Sequence, residues 1–253
     1  MEVHTLLTPR WLLPIEPMAV LEGHGLAMDN GRITAIIPPE ALDSVQAVEH
    51  IDLPDHALLP GLVNAHTHAA MSLMRGMADD LPLQAWLAQH IWPAEGRFAS
   101  EAFVRDGTQL AMVEMLRGGT TCFADMYFFP DAVAKAVDAA GMRAAVGMIL
   151  IDFPTAWAKD ADEYLSKGLS VRDASRDMPL VTTIFAPHAP YTVSDAPLKR
   201  VRTLSDELDL PVQMHVHETR FEVDDALRTT CLLYPSDAAD ALRSVHLCCL
   251  RVI

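Results

Sequence analysis

The sequence predicts an α/β fold in which parallel strands alternate with helices, and two observations carry this prediction. From residue 58 onward, apolar segments of strand length alternate with longer amphipathic segments, and repeated units of this kind form a parallel sheet with helices outside it. The apolar segments are almost unbroken, which is typical of strands covered on both faces. With 253 residues, of which 51% are hydrophobic, the chain can bury a core of the required size.

Residues 1–57 follow a different pattern and predict short strands. In the segment GHGLAMDNGRITAIIP, apolar residues alternate on both sides of Asn30-Gly31, the dipeptide that best suits a tight type I′ hairpin. We therefore expect a small β unit over residues 1–57 and an α/β domain over residues 58–230.

The α/β domain contains five predicted strands with helical segments between them. The predicted strands are HALLPGLVNAHTH (56–68), GGTTCFADM (118–126), RAAVGMILI (143–151), LVTTIFAPHAP (180–190) and LPVQMHVHE (210–218). The clearest helical segments are SEAFVRDGTQLAMVEMLRG (100–118) and PDAVAKAVDAAG (130–141).

Histidines lie at the ends of three of these strands. His66 and His68 close the first strand, His188 closes the fourth, and His215 and His217 close the fifth. Positions i and i+2 of a strand point to the same side, so the first two imidazoles can reach one ion. The carboxyl ends of parallel barrel strands meet at one face, and three imidazoles with an open coordination position are typical of a catalytic metal site.

Each of these residues also has a structural interpretation. A single histidine at a strand end is more often hydrogen-bonded than metal-bound, but the joint pattern favours His66, His68 and His215 as ligands of one metal ion. For His217 we favour a packed position beside a ligand. Asp125, which closes the second strand, either shapes the pocket or makes structural hydrogen bonds.

Charge and cysteine content limit the partners and the compartment. A formal net charge of −15 opposes binding to nucleic acid and to anionic membrane surfaces, so a small neutral or cationic ligand is favoured. The N-terminal segment lacks the unbroken apolar stretch of a signal peptide, and no apolar run reaches the roughly 18 residues of a membrane helix. Four cysteines do not make a disulfide framework in a chain of this size. These features predict a cytoplasmic protein.

Several longer motifs occur together in the order of a known family. They are PGLVNAHTHAAMSLMRGMADDLPLQAWLAQHIWPAE, GGTTCFADMYF, FAPHAPYTVS and HVHET, all within residues 3–229. In these motifs the chain resembles the amidohydrolase superfamily and, within it, the 5-methylthioadenosine/S-adenosylhomocysteine deaminases. The resemblance implies a (β/α)8 TIM barrel with a small β sandwich built from both ends of the chain. This sequence would hold about five of the eight βα units and the N-terminal part of the sandwich.

The resemblance also implies a reaction and a set of site residues. The reaction is metal-dependent hydrolytic deamination of an adenosine-type nucleoside to the inosine analogue and ammonia, with 5-methylthioadenosine, S-adenosylhomocysteine or adenosine as the substrate. His66, His68 and His215 match the ligands of one divalent metal ion, with zinc favoured. Glu95 matches the residue that holds the ribose hydroxyls, and His188 matches a substrate contact.

Glu218 matches the family's acid/base at the purine ring. Attack of water at C6 builds charge on N1 of the ring, so a carboxylic acid close to N1 can supply the proton. Read alone, Glu218 could be a solvated loop carboxylate, and Glu95 could be a charge on a helix surface.

The chain departs from the family pattern in two ways. The family has a further histidine after the sixth strand and a metal-binding aspartate after the eighth, and neither has a match here. Residues 231–253, which include Cys231, Cys248 and Cys249, do not resemble the family. We therefore expect a fragment that is inactive as written, derived from a complete protein that can form a homo-oligomer. Two alternatives stay open: another amidohydrolase, such as a guanine or cytosine deaminase or a triazine hydrolase, and a truncated product without catalysis.

Overall fold

The computed structural model describes residues 1–16 and 18–230 of the chain. It divides them into two compact units, Met1–Gly61 and a second unit that begins at Leu62. The tail expected at residues 231–253 lies outside the described residues. Of the helices formed by the described residues, none has the length and apolar character that a membrane crossing requires.

The first unit forms a sheet of five strands. These are β1 (Glu2–Leu12), β2 (Leu21–Glu22), β3 (Gly25–Asp29), β4 (Arg32–Ile37) and β5 (Gln46–Leu58), with a 3₁₀ turn at Pro39–Ser44. Strand β1 pairs in parallel with β5 and in antiparallel orientation with β2 and β3, while β3 pairs with β4. Asn30 and Gly31 join β3 to β4 with φ angles of 50° and 72°. Both angles are positive, as a type I′ turn requires, so the predicted hairpin is confirmed.

The second unit is an α/β structure. Its strands are β6 (Leu62–Thr67), β7 (Thr120–Asp125), β8 (Arg143–Leu150) and β9 (Val181–Pro187). Its helices are α1 (Leu83–Trp86), α2 (Trp92–Phe98), α3 (Glu101–Arg117), α4 (Pro130–Ala140), α5 (Ala161–Ala174), α6 (Asp195–Leu208) and α7 (Arg220–Thr230), with a 3₁₀ turn at Ala69–Met74 and a π-helical turn at Leu87–Ile91.

The four strands of the second unit pair in parallel in the order β6-β7-β8-β9, which confirms the predicted fold class. Helices separate the strands along the chain, as in βα units of a TIM barrel, and the sheet formed by the described residues stays open. The register pairs Thr67 with Asp125 and Leu150 with Pro187, so the carboxyl ends of neighbouring strands lie side by side.

The two clearest predicted helices are confirmed as α3 and α4. Helix α3 begins where the Ser100 hydroxyl accepts a hydrogen bond from the backbone N–H of Phe103, which satisfies one of the free donors of the first turn. Helix α4 has Pro130 in its first turn and ends at Gly141, whose φ of 65° is the left-handed conformation that glycine adopts without strain.

Two of the predicted strands differ from the observed structure. The segment 56–68 is interrupted, because β5 ends at Leu58 and β6 begins only at Leu62. Pro60 lies in the gap, and it lacks the N–H that a continuous strand would use for pairing. The fifth predicted strand, 210–218, forms one parallel bridge between Val212 and Phe185 instead of a regular strand. Pro211 likewise lacks an N–H for this ladder.

The prediction that the strands are buried on both faces is correct for β8 and β9 and wrong for β6. Strands β8 and β9 are mostly buried, and Phe185 is 1% exposed. Strand β6 is exposed instead, with Leu62 61% exposed. Its only strand neighbour among the described residues is β7, so one edge and part of its faces stay uncovered.

A close backbone contact holds the segment that follows β6. Helix α3 packs against the 3₁₀ turn Ala69–Met74, and Gly107 lies at the point of contact. A Cβ atom at Gly107 would overlap the carbonyl oxygen of Ala70, a backbone atom that cannot move aside easily. Glycine is therefore required here, and the contact fixes the chain immediately after His68.

We expect Gly107→Ala to destabilise the second unit by about 1–3 kcal/mol, the usual cost of overpacking a close contact. Urea unfolding followed by circular dichroism measures the change. Gly96→Ala in α2 is the matched control, because an added Cβ there meets no atom within 4 Å and alanine favours the helix. Equal stability of the two variants would contradict the proposed role of the Gly107 contact.

Candidate metal centre and substrate cavity

Three imidazoles converge at the carboxyl ends of the strands. His66 lies in β6, His68 follows it directly, and His215 follows the segment that bridges to β9. The Nε2 atom of His66 lies 3.3 Å from Nε2 of His68 and 2.9 Å from Nε2 of His215. The possible ligand atoms of all three residues lie within 4.8 Å of one another.

Backbone carbonyls orient two of the three rings. His68 Nδ1 lies 2.6 Å from the carbonyl oxygen of Met126, and His215 Nδ1 lies 2.9 Å from that of His188. A carbonyl oxygen only accepts hydrogen bonds, so both Nδ1 atoms carry hydrogen and both Nε2 atoms present a lone pair. This is the arrangement in which the outer nitrogen of a metal-binding histidine is usually found.

The electrostatic environment favours the neutral form of His66 and His68. Burial, followed by the neighbouring imidazoles His68 and His215, lowers the pKa of His66 to about 4. Burial is also the main reason that the pKa of His68 is lowered to about 4, against the opposing effect of its hydrogen bond to Met126. Neutral imidazole is the form that binds metal.

The geometry therefore fits a divalent metal ion. A tetrahedral ion about 2.0 Å from each nitrogen holds its ligand atoms about 3.3 Å apart, close to the separations measured from His66. Nitrogen donors of this kind suit zinc and similar first-row ions better than magnesium or calcium. The three imidazoles therefore form a candidate site for one divalent metal ion.

Asp125 stabilises the backbone beneath this site. Its Oδ1 atom accepts hydrogen bonds from the Thr67 hydroxyl at 2.9 Å and from the backbone N–H of Ala69 at 2.7 Å, one residue on each side of His68. The side chain is 1% exposed, and burial raises its pKa to about 6 although these hydrogen bonds oppose the shift. Of the two interpretations of Asp125, the contacts favour structural hydrogen bonding.

A cavity of about 210 Å³ opens next to the imidazoles. His68, His188 and His215 line one part of it, and the side chains of Glu95 and Glu218 also reach it. Much of the remaining wall is apolar, formed by residues that include Trp86, Trp92, Phe153 and Ile151. The cavity thus combines an apolar wall with a few polar groups, the usual composition of a small-molecule site.

Glu95 reaches the cavity from α2 and is less exposed than a residue on an open helix surface. Burial raises its pKa to about 7, and the neighbouring Tyr127 hydroxyl opposes this shift. Burial and the charge of Glu95 raise the pKa of Tyr127. The hydroxyl of Tyr127 is buried without a well-formed hydrogen bond in the described part of the chain. The sequence had marked Glu95 but not Tyr127, whose motif GGTTCFADMYF gave no sign of a separate role.

His188 lies beside the metal centre. Its ring centroid is 5.0 Å from that of His215, and its Nδ1 atom is 2.9 Å from the Thr192 hydroxyl. Burial, with the nearby imidazoles contributing less, lowers its pKa to about 3. His188 is therefore a neutral, partly buried ring that faces the same cavity as His68.

Glu218 is held at the cavity by two groups. Tyr191 donates a hydrogen bond from its hydroxyl to Glu218 Oε2 at 2.9 Å. The carboxylate of Glu222 accepts hydrogen bonds from the backbone N–H groups of His217 and Glu218, both at 2.9 Å. The sequence interpretation missed Glu222, although Thr219-x-x-Glu222 at the start of α7 has the spacing of a capping box. The Thr219 hydroxyl accepts from the Glu222 N–H at 3.2 Å, while the Glu222 carboxylate reaches past Thr219 to the two preceding N–H groups.

His217 does not join the three-imidazole group of the described residues. Its φ angle of 57° is left-handed, which turns the chain between His215 and Glu218. The predicted strand alternation therefore ends before this residue.

Converging imidazoles at the carboxyl ends of a parallel α/β sheet are typical of metal-dependent enzymes with a barrel fold. The chain belongs to the amidohydrolase family, whose model matches residues 57–249.

Individual proteins of known name resemble the chain over about half of their own length. This chain is 53% identical over 224 residues to the 5-methylthioadenosine/S-adenosylhomocysteine deaminase of Saccharophagus degradans. The alignment covers 88% of this chain and 50% of that protein. The crystal structure of an adenosine deaminase from Xanthomonas campestris with bound zinc is 48% identical and superposes with a TM-score of 0.90, covering 96% of this chain and 55% of that one. A guanine deaminase from C. acetobutylicum with bound guanine is 18% identical at a TM-score of 0.77, covering 90% of this chain and 56% of that one, and shows the fold alone.

The raised pKa of Glu95 gives a pH-dependent prediction. The folded-state pKa of about 7 exceeds the ordinary value of 4.5, so stability contributed by the protonated carboxyl is present below pH 4.5 and is lost as the pH rises through 7. Replacing it with a neutral amide should remove this loss. We expect Glu95→Gln to gain about 1–2 kcal/mol more at pH 8 than at pH 5, after allowance for partial exposure.

Denaturant unfolding at the two pH values measures this difference. Glu207→Gln on the exposed face of α6 is the control and should change stability equally at both. A Glu95→Gln effect that is the same at pH 5 and pH 8 would show that the carboxyl is not buried as described.

Proposed function

We propose that this site belongs to a hydrolytic deaminase that converts an adenosine-type nucleoside and water into the inosine analogue and ammonia. The candidate substrates are 5-methylthioadenosine, S-adenosylhomocysteine and adenosine. The observation that carries the proposal is a single cavity lined by His68 and His215 of the imidazole cluster and by Glu95 and Glu218. The names of the two more similar proteins described above support the same reaction type.

We propose zinc as the metal, held by His66, His68 and His215. Three nitrogen ligands suit this ion, and the Xanthomonas campestris protein contains zinc. When bound, the metal supplies a water molecule activated for attack at neutral pH. The lowered pKa values of His66 and His68 support this assignment, because an imidazole must be neutral to bind a metal.

Glu218 is the proposed proton donor and acceptor at the purine ring. Attack at C6 places negative charge on N1, and a carboxyl near N1 transfers a proton to it and stabilises the charge. The hydrogen bond from Tyr191 and the backbone contacts to Glu222 keep the Glu218 carboxyl in the cavity. The amino group then takes up one proton that originates from the attacking water, the C6–N bond breaks, and ammonia leaves. The oxygen stays on the ring as the C6 carbonyl, N1 keeps its hydrogen, and the other proton of the water restores the Glu218 carboxyl.

Glu95 is the proposed partner of the ribose hydroxyls, and His188 is a proposed substrate contact. A carboxylate accepts two hydrogen bonds from neighbouring hydroxyls without strain. The apolar wall formed by Trp86, Trp92 and Phe153 covers the less polar parts of a nucleoside and keeps bulk water away. A cytoplasmic location and homo-oligomer formation by the complete protein stay predictions.

One variant should weaken binding of a nucleoside much more than binding of the free base. We expect Glu95→Ala to weaken binding of 5-methylthioadenosine at least tenfold and binding of adenine by less than twofold, because the carboxylate is proposed to contact ribose. Trp86 and Trp92 line the cavity, so tryptophan fluorescence measures both titrations on the zinc-loaded chain. Glu207→Ala, on exposed α6, should change neither.

Equal losses for nucleoside and base would favour a base deaminase such as a guanine or cytosine deaminase. No binding of either compound by the zinc-loaded chain would contradict the nucleoside proposal.

Turnover tests the role of Glu218. We expect Glu218→Gln to lower deamination of 5-methylthioadenosine by about 10²-fold or more while zinc and nucleoside binding persist, since only the proton transfer is lost. The assay follows ultraviolet absorbance on residues 1–230 joined to the remaining sequence of the Saccharophagus degradans protein. The same assay on the 253-residue chain tests the expectation that it is inactive as written. Full turnover of Glu218→Gln would overturn the assignment.

A further inference from the structure

The third imidazole of the metal centre lacks the carbonyl partner that the other two have. His68 and His215 each donate from Nδ1 to a backbone oxygen, which reserves Nε2 for a metal. His66 Nδ1 lies instead 3.0 Å from the side-chain amide nitrogen of Gln213. The tautomer of His66 therefore depends on a side chain that has both a donor end and an acceptor end.

The two ends of the Gln213 amide differ in hydrogen bonding: the nitrogen has partners and the oxygen has none among the described residues. Its Nε2 atom lies 3.0 Å from the carbonyl oxygen of Ala65 as well as 3.0 Å from His66 Nδ1. Its Oε1 atom is buried and has no hydrogen-bond partner among the described residues. A buried amide oxygen without a partner is costly, so this orientation carries a free-energy penalty.

The orientation of the amide determines which nitrogen of His66 carries hydrogen. With Nε2 of Gln213 donating to Nδ1, the hydrogen of His66 lies on its own Nε2, which is 2.9 Å from the lone pair on His215 Nε2. A half-turn of the amide exchanges its two ends. Oε1 then accepts from a hydrogen on Nδ1, and His66 Nε2 becomes free to bind a metal. The half-turn loses the hydrogen bond to Ala65, brings two acceptor oxygens face to face and leaves the amide N–H groups without a partner, so metal binding has to offset this cost.

We propose that Gln213 is a positioning residue that selects the tautomer of His66, and that its amide turns so that Oε1 accepts from Nδ1 when the divalent metal binds. The proposal rests on the metal centre proposed above. It assigns to Gln213 the role that backbone carbonyls have for His68 and His215. Gln213 makes no direct bond to the metal in this arrangement, so its effect passes entirely through His66.

Zinc affinity of the 253-residue chain tests the proposal. Gln213→Met fills a similar volume but has no amide, so zinc should bind about 10- to 100-fold more weakly, the usual effect of losing an outer hydrogen bond to a ligand. Gln213→Glu offers only acceptor oxygens and should bind at least as tightly as the unaltered chain. Gln109→Met on the exposed surface of α3 is the matched control and should leave affinity unchanged. Competition with a chromophoric chelator measures the zinc affinity of the unaltered chain and of the three variants.

A second measurement separates tautomer selection from simple attraction between a carboxylate and zinc. In chain stripped of metal with a chelator, ring ¹⁵N spectra should show the hydrogen of His66 on Nε2 in the unaltered protein and on Nδ1 in Gln213→Glu. This comparison also decides the matter if Gln213→Met fails to fold. The same tautomer in both proteins, or unchanged zinc affinity in Gln213→Met, would overturn the proposal.

The metal centre itself is tested separately by His66→Ala, which should remove most zinc binding. If the unaltered chain and His66→Ala bind zinc equally, or neither binds it, the metal assignment fails and the Gln213 proposal fails with it. If His66→Ala loses zinc and Gln213→Met keeps it, only the role of Gln213 is wrong.

Discussion

Parallel pairing of β6, β7, β8 and β9 is the constraint on which the site depends. In a parallel sheet all carboxyl ends lie at one edge, so side chains separated widely along the chain meet there. In this way the Nε2 atoms of His66 and His215 come to lie 2.9 Å apart. The last part of this edge is held by backbone hydrogen bonds, since the N–H of His215 donates to the carbonyl oxygen of His188 at 3.0 Å. His188 thus supplies both a ring that lines the cavity and the backbone oxygen that holds His215, a proposed metal ligand.

The polar groups beneath the cavity are costly to bury, and the structure offsets much of this cost with local hydrogen bonds. Asp125 accepts from groups on either side of His68, and Glu222 accepts from two successive backbone N–H groups before Glu218. In each case a carboxylate outside the cavity lining accepts hydrogen bonds from groups next to, or belonging to, a proposed site residue. In the described chain, Gln213 Oε1 is buried without a hydrogen-bond partner and the buried Tyr127 hydroxyl lacks a well-formed one. Both groups lie next to proposed site residues.

The uncovered edges of the second unit's sheet can be compared with the greater length of the related proteins. The chain spans about half the length of the curated relatives it matches. Strand β6 exposes Leu62 and Val63, and the segment after β9 pairs with the sheet through a single bridge at Val212. In closed barrels both of these edges are paired, which removes free backbone groups and covers the apolar side chains. The site residues described here nevertheless meet within the four strands and their following loops.

The sequence by itself determined the fold class, the Asn30-Gly31 hairpin and the helices α3 and α4, because hydrophobic period, turn chemistry and capping are local properties. It also marked His66, His68 and His215, since alternation within a strand and recurrence at strand ends can be read from spacing. The break near Pro60 and the loss of a regular fifth strand at Pro211 also have a local cause, since proline lacks the N–H that strand pairing uses. Tertiary structure alone decided the exposure of β6, which depends on what that strand packs against. It alone revealed Gln213, because a contact between residues 213 and 66 depends on which strand ends lie together, and no local pattern records it.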